Sequence, residues 1–183
     1  MIRQTISVLA LVVAFSSAQA SGPLDQGGYV GGGIGKSQFD DSFIIVDFSH
    51  DDTDSASMLF AGYKFSKYLS VEGRYTDFGS FPLSGTAADI SALSLHAVGT
   101  VPFGTSGWEL YGQLGFGTVN FDFFAFPEED ESALAGGIGL RFRPSENVAI
   151  GVQADVFVRD DNLFGPAYDS GVGSTTVTAT IYF

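Results

Sequence analysis

Cysteine is absent, which removes disulfides, thiolate nucleophiles and cysteine-held metals from consideration. Histidine is scarce: His50 and His96 are the two in the chain, so general-base chemistry has few places to start. Basic residues are few as well. Eight Lys and Arg stand against 21 Asp and Glu, a formal net charge of −13. Such a chain repels nucleic acid and attracts cations. No apolar run after the first twenty residues approaches the ~18 residues of a membrane-spanning helix. Disordered acidic chains lack apolar and aromatic residues. This chain is 45% hydrophobic with 18 Phe and 24 Gly, which places it among folded, strand-rich proteins.

The first twenty residues read as a leader. Arg3 supplies the positive start, residues 6–15 are almost wholly apolar, and Ala18-Gln19-Ala20 is a small-x-small cleavage sequence. That is the pattern of a cleaved secretory signal peptide. Its apolar run is too short for a bilayer-spanning anchor, which needs about 20 residues. Residues 21–183 then form one domain, and loss of Arg3 takes the formal charge from −13 to −14.

Eight segments alternate with a period of two: residues 28–39, 55–65, 69–78, 90–101, 108–121, 132–142, 148–159 and 173–183. In the last, Phe183, Ile181, Ala179, Val177 and Thr175 share one face, and Tyr182, Thr180, Thr178, Thr176 and Ser174 the other. Successive strand side chains point to opposite faces, so one side is mostly apolar and the other hydroxylated. The same split recurs. Leu93, Leu95, Ala97, Gly99 and Val101 oppose Ser94, His96, Val98 and Thr100, and the charges of the last six segments fall on the second face. That second face is rich in Gly and Ser and carries too few charges to be a solvated exterior. Turning the apolar face to lipid and closing the sheet satisfies both sides and leaves no strand edge in hydrocarbon. The expected fold is an all-β, eight-stranded antiparallel up-and-down transmembrane β-barrel.

The connections alternate in length. Residues 66–68, 102–107 and 143–147 are short; 40–54, 79–89, 122–131 and 160–172 are long. Short turns at one rim and long loops at the other are the pattern of outer-membrane barrels, with both termini at the short-turn, periplasmic rim. Phe65, Tyr68, Phe103, Trp108, Phe142 and Phe183 lie beside the short turns or at the C-terminal end, where they form an aromatic girdle. Tyr75 and Phe116 begin the opposite girdle.

Residues 29–39, YVGGGIGKSQF, resemble the first strand of OmpA-type barrels in the pattern Y-x-G-x-x-x-G-x-S-Q-aromatic. Residues 62–79, GYKFSKYLSVEGRYTDFG, look like the second hairpin of the same OmpA-like small outer-membrane β-barrel family. The likeness covers residues 21–183, and the hairpin is its most specific part. It implies an outer-membrane barrel without the peptidoglycan-binding domain that larger members carry. Phe183 is similar to the signal read by the barrel-assembly machinery. Gly33 stands where the best-known member of the family has a lumenal lysine, so the resemblance implies an interior ion network built differently here.

The expected lumenal network comprises Glu72, Arg74, Glu109, Arg141, Asp155 and Arg159, with Lys64, His96 and Gln153 on the same face. Its two readings are a structural plug of salt bridges, favoured by the narrow interior of eight strands, and a gated, porin-like channel for small solutes. In the second, Gly31, Gly33, Gly35, Gly137, Gly139 and Gly151 leave water-filled gaps. A lipid-modifying enzyme needs a nucleophile beside a base. The candidates are Ser49, His50 and Asp51 in the first loop, and Ser94 with His96, better read as packed lumenal residues. No catalysis is expected.

Fifteen of the 21 carboxylates lie in the four long connections, which contain no Lys or Arg. A mutually repelling, solvated rim is the plain expectation. Asp51, Asp52 and Asp54 are weak calcium candidates, because hard cations take oxygen ligands but the spacing is not that of an EF-hand. The apolar stretches Phe43-Ile44-Ile45-Val46 and Phe123-Phe124-Ala125-Phe126 read as strand extensions, or as patches for a host or cell surface. No cofactor is implied. The partners implied are outer-membrane lipid and lipopolysaccharide, divalent cations, the assembly machinery and a host or cell surface. The role implied is structural or surface-interacting: membrane integrity or adhesion.

Overall fold

The computed structural model describes residues 26–40, 53–83, 86–123, 129–159 and 171–183. They form eight strands: β1 (Gly27–Asp40), β2 (Thr53–Ser66), β3 (Leu69–Leu83), β4 (Thr86–Pro102), β5 (Trp108–Phe123), β6 (Glu129–Ser145), β7 (Val148–Arg159) and β8 (Gly171–Tyr182). Each pairs antiparallel with its sequence neighbour, and β1 pairs with β8 to close the barrel. The expected leader, Asp51 and Asp52, His50 and its neighbours, and the 43–46 stretch lie outside the described residues. The side chains of Asp54 and Arg159 do too.

The ladder registers fix the geometry. Starting at Tyr29, the partners run through Gly62, Glu72, His96, Gly115, Ala135, Phe157 and Val172, and return to β1 at Phe39. The stagger is therefore 39 − 29 = 10 residues. Eight strands with that stagger tilt by about 40° and enclose a radius of roughly 8 Å, room for side chains and little else.

Strand alternation sorts the side chains. Leu59, Leu93, Leu114, Phe116, Ile138, Ile150, Val177 and Ile181 are all exposed on the outside. Glu72, Arg74, His96, Gln113, Gln153 and Asp155 are buried inside. From Trp108 to Phe116 the outward apolar band rises about 20 Å along the barrel axis at this tilt, close to the roughly 25 Å of an outer-membrane barrel. Exposed Phe65, Tyr68, Phe103, Trp108 and Phe142 mark its lower edge. Trp108 and Phe142 touch across adjacent strands, with ring centroids 5.1 Å apart. Phe183, half-buried, lies over Gly28, where an added Cβ would come within 2.6 Å of its ring.

Toward the long-loop rim the two faces exchange character. Lys36, Ser55, Ser57, Asp77, Thr118, Ser132 and Thr175 are exposed on the outer face. At those levels the interior holds Phe78, Ile90, Ala92, Val119, Ala133, Ala135, Phe157 and Val172 as one buried apolar cluster. The strands project beyond the apolar band, and there the barrel follows the soluble rule, apolar inside and polar outside.

One expected loop is mostly ladder. Residues 79–89 pair from Gly79↔Ile90 to Leu83↔Thr86. Asp77 Oδ1 accepts a hydrogen bond from the Gly79 amide at 2.9 Å, and Gly79 takes a positive φ of 81°, which glycine tolerates. This bulge resets the register, and the hairpin continues where a long loop was expected.

Ile138 sits mid-band and is 58% exposed. Ile138→Arg should destabilise the lipid-embedded barrel by about 2–4 kcal/mol, while Ser132→Arg, above the band, should cost about 0–1 kcal/mol. Urea unfolding of both variants in phospholipid vesicles measures the difference.

Candidate functional site: the filled lumen

The interior polar groups fall into two clusters. Arg74 of β3 centres the first. Its Nη2 donates to Glu72 Oε1 at 2.5 Å and to Gln113 Oε1 at 2.8 Å, and its Nη1 donates to Asp155 Oδ1 at 3.0 Å. Gln113 Nε2 closes the ring by donating to Asp155 Oδ1. Gln153 Nε2 donates to Asp155 Oδ2 at 2.5 Å, and Tyr111 Oη to Gln153 Oε1 at 2.8 Å. On the other side Tyr29 Oη donates to Glu72 Oε2 at 3.1 Å. One connected network thus ties together β1, β3, β5 and β7.

These strands are not neighbours, and glycines explain how they meet. Gln113 is in register with Gly137, and Gly137 with Asp155. Tyr111, Gly139 and Gln153 align in the same way, as do Tyr29, Gly62 and Glu72. In each case two long side chains reach across a strand whose inward residue lacks a Cβ. A Cβ on Gly137 would lie 2.7 Å from Gln113 Nε2, and one on Gly62 would lie 2.5 Å from Tyr29 Oη. Four of the six glycines expected to leave gaps are thus covered by side chains: Gly137 as above, Gly31 by Phe60, Gly151 by Arg141 and Gly139 by Tyr111.

The second cluster sits at the short-turn end. Arg141 Nε donates to Glu109 Oε2 at 2.6 Å and its Nη2 to Thr100 Oγ1 at 3.2 Å. Arg143, expected in a turn, instead extends β6, enters the lumen half-buried and lies 3.4 Å from Glu109 Oε1. A register shift between Phe142 and Ser145 accompanies that placement. The six residues expected as one network thus divide into Glu72, Arg74 and Asp155, and Glu109 with Arg141. The Arg159 side chain lies outside the described residues. Tyr29, Tyr111, Gln113, Arg143 and Tyr182 are participants that the charge pattern did not mark.

Ser94 Oγ and His96 Nε2 lie 2.8 Å apart, both residues buried. His96 Nδ1 has no partner among the described residues. The Phe157 ring lies edge-on to His96, with centroids 6.4 Å apart. No described group orients the imidazole as a third catalytic member would. No group of metal-ligating side chains occurs among the described residues.

A closed, lipid-facing barrel with a polar interior is one observation; the family is the other. A sequence model described as outer membrane protein beta-barrel domain matches residues 7–178. The chain belongs to that family. A search of curated protein sequences finds no match. Among solved structures, Neisserial surface protein A superposes with a TM-score of 0.67 at 11% identity, covering 85% of this chain and 97% of that one. The N-terminal β-barrel domain of Pseudomonas aeruginosa OprF gives 0.57 at 14% identity, over 86% and 98% of the two chains. Ail, the attachment invasion locus protein of Yersinia pestis, gives 0.54 at 22% identity, over 87% and 100%. These likenesses are of fold. The chain is accordingly an integral outer-membrane β-barrel protein.

Removing one member of a buried ion cluster costs more than removing the whole cluster. Arg74→Met leaves Glu72 and Asp155 facing each other and should cost about 3–5 kcal/mol. The triple variant Arg74→Met, Glu72→Gln, Asp155→Asn should recover most of that loss. Equilibrium unfolding in vesicles reads both.

Proposed function

We propose that this barrel is a closed, non-enzymatic structural element of the outer membrane that carries acidic loops on the cell surface. The observation that supports it is the occupation of the lumen at every level. The Arg141–Glu109 pair fills the short-turn end, the Arg74 network fills the middle, and the apolar cluster around Phe78, Ile90 and Phe157 fills the long-loop end. A hydrated ion crossing that last layer would have to leave most of its water among apolar side chains, where Ser37, already donating to the Phe78 carbonyl, replaces little of it. The channel reading therefore has little support. Enzymatic use of Ser94 and His96 has less, because both lie inside the sealed lumen and an acyl chain in the bilayer cannot reach them.

In this reading both termini are periplasmic, and the connections between β1 and β2, β5 and β6, and β7 and β8 face outward. Their carboxylates, Asp41, Asp47, Asp51, Asp52, Asp160, Asp161 and Asp169 among them, suit divalent cations shared with lipopolysaccharide phosphates. They do not suit polysulfated ligands. Ail has been crystallised with the heparin analogue sucrose octasulfate, whereas loops of this composition repel such an anion.

Planar-bilayer recording of the purified barrel should show no conductance, and Phe78→Ser with Phe157→Ser should leave the membrane-spanning fold intact while admitting intermittent small currents. Steady conductance from the unmodified barrel would reinstate the channel. The surface role is checked with a deletion strain. It should lose detergent resistance or attachment, and complementation by a barrel with Asp51, Asp52, Asp160 and Asp161 changed to Asn should restore less than the native chain does.

A further inference from the structure

Cationic side chains gather at the short-turn mouth of the lumen. Lys64, Arg141 and Arg143 surround the ring of Tyr182, at 5.4, 6.0 and 4.6 Å from its centroid. Even with Lys64 set aside, two guanidiniums share one carboxylate, Glu109. The next carboxylates up the lumen, Glu72 and Asp155, are engaged by Arg74. Glu146 offers Arg143 Nη2 its backbone carbonyl at 2.6 Å, not its side chain. The Tyr182 ring offsets part of the imbalance through cation–π attraction, but a ring face is no counter-charge.

Donors are left over around the same ring. The Tyr182 hydroxyl has no hydrogen-bond partner among the described residues, although the residue is only 2% exposed. Arg141 uses Nε and Nη2 on Glu109 and Thr100. Arg143 uses Nη1 and Nη2 on Glu109 and the Glu146 carbonyl. Arg141 Nη1 and Arg143 Nε donate to no described group. Arg143, half-buried, stands on the solvent side of this cluster, with Arg141 and Tyr182 buried behind it.

We propose that this mouth is an anion site for a phosphate-class oxyanion, either inorganic phosphate or a terminal phosphate group. Guanidinium and phosphate pair through charge-assisted hydrogen bonds, and a tetrahedral oxyanion has acceptors enough for both arginines and the Tyr182 hydroxyl. The Arg74 network closes the way upward, so the anion binds and does not pass. That this mouth is periplasmic belongs to the reading above; the site itself does not depend on it.

The test uses the barrel in a maltoside detergent, which carries no phosphate or charge, and follows arginine Nε–Hε resonances by NMR. Inorganic phosphate is added at constant ionic strength against chloride. Arg141 and Arg143 should shift and saturate at roughly 1–10 mM, the weak range of a partly exposed site, while Arg74 stays in place. Arg143→Gln should weaken binding about tenfold and Tyr182→Phe several-fold; Lys67→Gln, in the exposed β2–β3 turn, should change nothing. Heat-modifiable gel mobility confirms that each variant is folded. Shifts that grow linearly without saturating, or a curve unchanged in both Arg143→Gln and Tyr182→Phe, would overturn the proposal. Nanodiscs of phosphatidylglycerol separate the two sources of phosphate. Resonances already at their saturated positions there place a lipid headgroup in the site, and resonances at the free positions reserve it for a soluble oxyanion.

Discussion

In hydrocarbon a backbone amide or carbonyl without a partner costs several kcal/mol. The pairing of β1 with β8, from Tyr29↔Tyr182 to Asp40↔Gly171, removes the last open edge, and the rest of the molecule follows from that closure. A closed ring of eight strands needs a stagger, and the stagger of ten residues fixes both the tilt and the narrow radius. The radius in turn decides that the interior is packed with side chains. Outside, the ring must present carbon to lipid for the thickness of the bilayer, and exposed apolar side chains run from Trp108 and Phe142 up to Leu93, Phe116 and Leu134.

Interior packing then depends on glycine as much as on charge. Some registers seat large inward residues side by side, as Glu109 and Arg141 do, and others alternate large residues with glycine, as Tyr29, Gly62 and Glu72 do. Gly137 and Gly139 on β6 let β5 and β7 join hands above them, and Gly62 on β2 does the same for β1 and β3. The result is a polar network that braces alternate strands, where the backbone ladders brace adjacent ones. Such a network contributes specificity of register when every member is satisfied, since a slip by one residue would turn Arg74 to lipid.

Much of the fold was legible in the sequence, because hydrocarbon imposes a uniform rule. Leu93 to Val101 and Val148 to Val158 alternate without a charge on the lipid side, and no soluble environment demands that. The interior partnerships were not legible. Tyr29 meets Glu72 across 43 residues and Arg74 meets Asp155 across 81, and which pairs form depends on a stagger that composition does not encode. The apolar cluster near the long-loop rim was missed for a different reason. The face rule holds only where its cause, the bilayer, reaches, and the strands run past it. Phe157 on the polar face of β7 was the available sign. Arg143 and residues 79–89 were misplaced because bulges extend strands through positions where Pro, Gly and charge ordinarily signal a turn.

The central claim is that the sheet faces lipid over a defined band and reverts to the soluble rule above it. Nitroxide labels placed singly from Ile90 to Val101 on β4, in a barrel reconstituted into vesicles, test this most directly. Collision rates with oxygen and with a water-soluble nickel chelate report what each position faces. Oxygen should dominate at Leu93, Leu95, Ala97, Gly99 and Val101, the nickel chelate at Ser91, and neither should reach Ile90, Ala92, Ser94 or His96. Oxygen accessibility at Ser94 and His96 with protection at Leu93 and Leu95 would invert the faces and contradict the account.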